Sequence, residues 1–252
     1  MNKNFIIGML MGTALLCSAC HSSHYTVSSI TVSRTPINDR LDAVQDQKVV
    51  ALIAPYKSQL EGTMNHVIGQ AATSMDKKRP EDLLGNLIAD VLRQAATRVL
   101  PQPADVGLMN IGGIRNVLSE GDVTVGNVFE ILPFENSLCV IRLKGNHLRR
   151  LFAQIAGRGG EAISGARIEI SKGELLKAEV GGLPIDDSKV YTLATINYLA
   201  EGNDGMTALL DAESVEFPEN SVLRDVFMDY VKQCTAQGEK LTSKLDGRVT
   251  VK

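Results

Sequence analysis

Four short stretches of this chain carry residue types that could hold an anion and a flat ring. In the first, a short apolar run at residues 106–109 opens into Asn110-Ile111-Gly112-Gly113-Ile114-Arg115. Adjacent glycines let backbone N–H groups approach an anion closely, and a guanidinium beside them can grip two phosphate oxygens at once. Taken alone, the same string is also an ordinary Gly-Gly turn followed by a surface arginine. In the second, Leu132-Pro133-Phe134-Glu135-Asn136, a ring follows a proline that presents it stiffly, and an amide stands two residues on. Such a pair can stack on a base and read its edge, or else Phe134 is simply core. With only six Phe and five Tyr in the chain, a ring placed beside a loop is a distinctive use of one.

The third stretch runs from Asn197 and Tyr198 through Gly202-Asn203-Asp204-Gly205. It puts an aromatic at the end of a strand and then a carboxylate inside a glycine-flanked turn. A carboxylate there can accept hydrogen bonds from both hydroxyls of a ribose, although Asn-Asp-Gly is also a common turn. The fourth, Lys77-Lys78-Arg79-Pro80-Glu81, sets cations just ahead of a helix N-terminus, which itself attracts anions. By itself it reads equally as a solvated charge run.

These stretches need elements to position them. Residues 42–62 carry Val44, Val49, Leu52, Ile53, Tyr56 and Leu60 at roughly helical spacing, and a short strand is expected at residues 66–71. Residues 81–99 repeat Leu84, Leu87, Ile88, Val91, Leu92 and Ala95 on one face, ended by Pro101 and Pro103, and form the clearest helix. Strands are expected at 106–109, 138–143, 165–170, 175–180 and 190–196, the third and fourth of these joined at Lys172-Gly173. Helices are expected at 124–132, 148–155 and 221–233, with a final edge strand at 248–251. Helices and strands mix without strict alternation. That favours a layered α/β or α+β domain, mixed sheets flanked by helices, over a doubly wound parallel sheet.

The N-terminus has its own pattern. Lys3 precedes an apolar run at residues 5–16, far shorter than the roughly 20 residues that span a bilayer. Small Ser18 and Ala19 then lead into Cys20, so residues 1–20 read as a lipoprotein-type signal peptide with Cys20 the candidate lipidated residue. Cys17 stands where a bacterial lipobox usually has Leu, which leaves cleavage after Ala19 by the ordinary signal peptidase open. Residues 21–40, rich in Ser, Thr and His, read as a tether, and residues 41–252 as one folded domain. Localisation on the periplasmic side of a bacterial envelope follows, with membrane contact only through the lipid. Lys plus Arg total 26 against 29 Asp plus Glu, with no basic stripe interleaved with aromatics, which argues against a nucleic-acid partner. Beyond the leader only Cys139 and Cys234 remain, too few for a disulfide scaffold.

In this order the four stretches resemble the C-terminal domain of 5'-nucleotidases, from about residue 41 to the end. The resemblance implies that Asn110 and Arg115, with Gly112 and Gly113 between them, contact a nucleotide. It implies that Phe134 and Tyr198 sandwich the base, that Asn136 touches its edge, and that Asp204 holds the ribose. Tyr198 departs from the family's more usual phenylalanine. The upstream phosphate-contacting arginine falls on Arg79 or is replaced by Lys78; Arg79 is preferred because its fork suits phosphate.

Full-length members of that family resemble a two-metal phosphoesterase domain followed by this one. Here His21 and His24 lie in the tether, which leaves His66 and His147, and no Asp-x-His or His-x-His occurs. Gly145-Asn146-His147 is similar to a metallophosphoesterase motif, but Leu148 follows where an acid is expected, so an ordinary helix start is the reading adopted. No catalytic or metal-binding residue and no cofactor is therefore expected in this chain, divalent metals belonging to a separate metallophosphoesterase partner. The implied ligand is a nucleoside monophosphate or a nucleoside. The rival expectation is a non-catalytic periplasmic lipoprotein that binds or senses nucleosides.

Overall fold

The computed structural model describes residues 25–252. The signal peptide and the candidate lipidation site Cys20 lie outside the described residues. The described residues divide into two units between Leu52 and Ile53. In the first, residues 25–37 carry no regular secondary structure and are exposed. A 3-10 turn follows at Asp39–Val44, capped by Asn38, whose side chain accepts from the Arg40 N–H at 3.1 Å. Helix α1, Gln47–Met64, buries none of its residues. The helical spacing read in the sequence is therefore real, but Val49, Leu52, Ile53, Tyr56 and Leu60 are all exposed, so the apolar face is not covered as a core face would be.

The elements that follow are β1 (Val67–Ala71), α2 (Leu83–Ala95), β2 (Val106–Met109), β3 (Gly121–Thr124) and α3 (Val125–Ile131). Next come β4 (Leu138–Lys144), α4 (Gly145–Gly157), β5 (Ala162–Ser164), β6 (Ala166–Ser171), β7 (Glu174–Val180) and β8 (Leu183–Pro184). The chain closes with β9 (Val190–Ile196), α5 (Asn197–Ala200), β10 (Ser214–Glu216), α6 (Leu223–Ala236) and β11 (Val249–Val251). Among the described residues no helix is long and apolar enough to cross a membrane.

Local chemistry explains several of these boundaries. Asp82 caps α2 by accepting from the Gly85 N–H at 2.6 Å, so the helix begins two residues later than the apolar pattern alone suggests. Thr124 and Asn127 cap α3 reciprocally. Lys172 and Gly173 both take positive φ, 49° and 81°, which makes the tight turn between β6 and β7. Gly145 starts α4 where a Cβ would lie 1.9 Å from the Asp186 carbonyl oxygen, so close approach of the β8–β9 loop demands glycine there.

The largest sheet has the order β10-β4-β9-β2-β5, in which β2 and β9 run parallel and every other pair antiparallel. A second sheet, β11-β6-β7-β8, has one parallel pair, β11 with β6, and β1 pairs antiparallel with β3. The domain is thus a mixed-sheet α/β fold. Residues of β2 are buried throughout and those of β4 and β9 nearly so, the signature of strands covered on both faces. Helix α2 packs on β2, β5 and β9, and α4 lies against β4 and β9 of the large sheet and β6 and β7 of the smaller one. Phe152 of α4 and Phe227 of α6 are completely buried, each such ring worth about 1.5–3 kcal/mol relative to exposure. Cys139 and Cys234 are separate, buried, free thiols, and burial pushes the Cys139 pKa up to about 12.

Candidate functional site

The parallel pairing of β2 with β9 decides where the site lies. Val106 pairs with Leu193 and Gly107 with Ala194, so both strands end at the same edge of the sheet. Beyond β2 the chain enters Asn110 and the Gly-Gly turn; beyond β9 it enters Asn197 and Tyr198. The flanking antiparallel strands bring their starts to the same edge. Leu138 of β4 sits beside Ile196, and Ala162 of β5 sits beside Met109. The loops that feed β4 and β5 therefore arrive there too, carrying Phe134 and Asn136 on one side and the Arg158-to-Glu161 segment on the other. A crevice at the carboxyl ends of strands is the recurrent place for ligands in α/β sheets.

Asn110, Gly112, Gly113, Arg115, Phe134, Asn136, Tyr198 and Asp204 line one cleft of about 450 Å³, within the range of about 300–1,000 Å³ common for small-molecule sites. Phe134 is 48% exposed and Tyr198 38%, so neither ring is core and both line the cleft. At Gly113 an added Cβ would meet Met109 Cε at 2.6 Å and Asn110 Oδ1 at 2.7 Å, so any larger residue there has to displace those two side chains. Asp204 adopts φ 56°, ψ 22°, a left-handed conformation that Asp and Asn tolerate better than most residues. A non-glycine residue held there points to a position over-determined by its surroundings.

Those surroundings are a polar network. Asn110 Nδ2 donates to Asp204 Oδ2 at 2.7 Å, and the Tyr198 hydroxyl donates to Asp204 Oδ1 at 3.3 Å. Arg158 Nη2 lies 3.3 Å from Asp204 Oδ2, and its Nε donates to Glu161 Oε1 at 2.8 Å. Glu161 is completely buried and its other oxygen accepts from the Ile111 N–H at 2.6 Å, fastening the start of the Gly-Gly turn. The Asp204 charge, and after it burial, raises the Tyr198 pKa, so the phenol stays a donor. The hydrogen bond to Glu161 is the main cause that raises the Arg158 pKa.

Arg79, expected at the phosphate end, is not among the lining residues. Its Nε donates to the Gly160 carbonyl at 2.7 Å and its Nη2 pairs with Glu161. The buried carboxylate of Glu161 draws the guanidinium to itself, so Arg79 is tied to the Gly160-Glu161 segment. Lys77, from the same charge run, donates to the Ile114 carbonyl, and burial followed by the nearby Arg115 charge lowers its pKa. Arg115 Nη1 donates to the Gly112 carbonyl at 3.0 Å and its guanidinium lies 5.9 Å from the centre of the Phe134 ring.

Sequence reasoning missed three supporting residues. Glu161 and Arg158 flank Gly159-Gly160, and an acid directly after paired glycines and before an apolar strand was the available signal. Arg224, on the first turn of α6, stacks 4.0 Å from the Phe129 ring and donates to the Pro133 carbonyl at 3.3 Å, steadying the loop that carries Phe134. Nothing local in the sequence marks it. His147 lies on the first turn of α4 with Nδ1 3.6 Å from Asp211. Among the described residues no three His, Cys, Asp or Glu side chains gather as metal ligands.

Residues 62–211 match the family described as 5'-nucleotidase, C-terminal domain, and the chain belongs to that family. It is 27% identical over 222 residues to the trifunctional nucleotide phosphoesterase protein YfkN of Bacillus subtilis, covering 77% of this chain and 14% of that protein. It is 29% identical over 177 residues to protein UshA of Yersinia enterocolitica, covering 65% of this chain and 30% of the relative. The crystal structure of a 5'-nucleotidase precursor from Thermus thermophilus superposes with a TM-score of 0.68 at 27% identity, over 81% of this chain and 42% of that one. The chain thus spans less than half of each of these proteins.

Proposed function

We propose that this domain binds a nucleoside monophosphate or nucleoside and presents it to a separate metallophosphoesterase chain, the two together acting as a split 5'-nucleotidase. Phe134 and Tyr198 hold the base, Asn136 reads its edge, Asp204 takes the ribose, and Arg115 with Asn110 and the Gly112-Gly113 turn faces the phosphate. Arg79 acts behind this set through Glu161. The observation that carries the reading is the convergence of all eight lining residues, drawn from separate loops, on one cleft beside a fixed carboxylate. Membership of the 5'-nucleotidase C-terminal domain family supports the same ligand class. The divalent metals belong to the partner, and the protein is exported to the periplasmic side of a bacterial envelope and tethered through lipidated Cys20.

Calorimetric titration with AMP and with adenosine tests the first half of this reading, and saturable binding of at least one is expected. Mixing the protein with a metallophosphoesterase chain from the same organism tests the second half and should raise the rate of AMP hydrolysis. Binding without any such rise would leave a non-catalytic nucleoside-binding lipoprotein, and no binding would overturn the proposal.

A further inference from the structure

We propose that Arg158 is a positioning residue for ligand recognition. Its guanidinium pairs with one oxygen of Asp204, so that a vicinal diol on the ligand is shared between the other oxygen and the hydroxyl of Tyr198. This rests on the reading above that the cleft takes a nucleoside, and it adds the way in which the sugar is read.

An ionised carboxylate offers about four acceptor positions, two on each oxygen. On Asp204, Oδ2 already receives Asn110 Nδ2 at 2.7 Å and is ion-paired with Arg158 Nη2 at 3.3 Å, so it is engaged by two protein groups. Oδ1 receives the Tyr198 hydroxyl at 3.3 Å and keeps one position open. A ligand diol brings two donors. One goes to Oδ1, and the oxygen of the Tyr198 phenol, which donates its own proton to Asp204, accepts the second. A phenylalanine at position 198 could not do this.

The arginine cannot be exchanged for another cation. Its Nε is committed to Glu161 at 2.8 Å while Nη2 reaches Asp204, so one rigid fork spans two carboxylates held on different loops. A lysine ammonium is a single point and would have to choose between them. Glu161 is itself anchored by the Ile111 N–H and by Arg79, so the fork ties the left-handed Asp204 turn to the Gly-Gly turn across the cleft.

The test is calorimetry of the wild type, Arg158→Lys, Arg158→Gln and Tyr198→Phe with adenosine, AMP and 2',3'-dideoxyadenosine, with thermal melting as a control on folding. Wild type should bind adenosine more tightly than the dideoxy compound. Both Arg158 variants should weaken adenosine and AMP alike by about tenfold and leave dideoxyadenosine within about twofold, the scale of one charged hydrogen bond. Tyr198→Phe should likewise weaken adenosine several-fold and spare the dideoxy compound. An equal loss for all three ligands would make Arg158 merely structural. A loss larger for AMP than for adenosine would make it a phosphate contact, and unchanged affinities would remove it from recognition; each of these overturns the proposal. Wild type that binds no ligand would overturn the underlying reading as well, and is told apart by needing no variant.

Discussion

Phe134 illustrates how exposure separates a cleft-wall ring from a core ring. It is half exposed, sits on the cleft wall, and its loop is held by Arg224 rather than by its own packing. Phe134→Ala should therefore cost about 1–3 kcal/mol of AMP binding by calorimetry, typical for one stacking aromatic. Its thermal stability should change by no more than about 1 kcal/mol, as for a surface substitution. Asp204 differs because its backbone is left-handed. Asp204→Asn keeps a residue that tolerates that conformation and should lose nucleotide binding with little change in melting temperature. Asp204→Ala adds about 1–2 kcal/mol of backbone strain. A melting experiment that finds both variants equally stable would show that the turn relaxes.

At the level of elements, the capping of α2 is exposed to pH. Asp82 is buried, and desolvation is the main cause that raises its pKa in the folded chain. The folded state then holds that proton more tightly than the unfolded one. Stability falls as pH rises from the unfolded carboxylate value through the folded one, and stays at the lower level above it. Asp82→Asn keeps a capping oxygen without the charge, so it should be at least as stable as wild type at pH 7, and its advantage should vanish at acid pH. Asp82→Ala loses the bond to Gly85 and should cost about 1 kcal/mol. Urea unfolding at pH 4 and pH 7 checks both. Gly145 poses a steric demand of a different kind: with the Asp186 carbonyl 1.9 Å from any added Cβ, Gly145→Ala should cost at least about 2 kcal/mol in the same assay, since backbone on both sides has to move.

For the molecule as a whole, the division of labour proposed above makes a prediction about metal. Adding a chelator should leave AMP binding to this chain alone unchanged by calorimetry, while it abolishes hydrolysis by the reconstituted pair. Loss of binding on chelation would instead place a metal in this cleft. The architecture suits a presenting domain: loops from different parts of the chain meet at one edge of a sheet whose central strands are buried on both faces. The strands are buried while the residues that line the cleft lie on loops at their ends.

Much of this was legible in the sequence because it is local. Apolar periodicity marked α2, α4 and α6, a short apolar run marked β2, β-rich runs marked β4 and β9, and the turn at Lys172-Gly173 joined β6 to β7. The short strands β3, β5, β8 and β10 were not legible, since two to four residues carry too little pattern and their pairing is made by distant partners. The eight cleft residues could be named because stretches of suitable chemistry fall in the order that resembles the 5'-nucleotidase C-terminal domain; taken singly, each stretch reads equally as a turn or a core ring. Their meeting is a tertiary fact, set by the parallel register of β2 with β9. So is the diversion of Arg79, which Glu161 captures from 82 positions away. Which side chains are suited to a ligand is written in their types and order; which of them face it depends on a buried charge whose partners only the folded chain brings within reach.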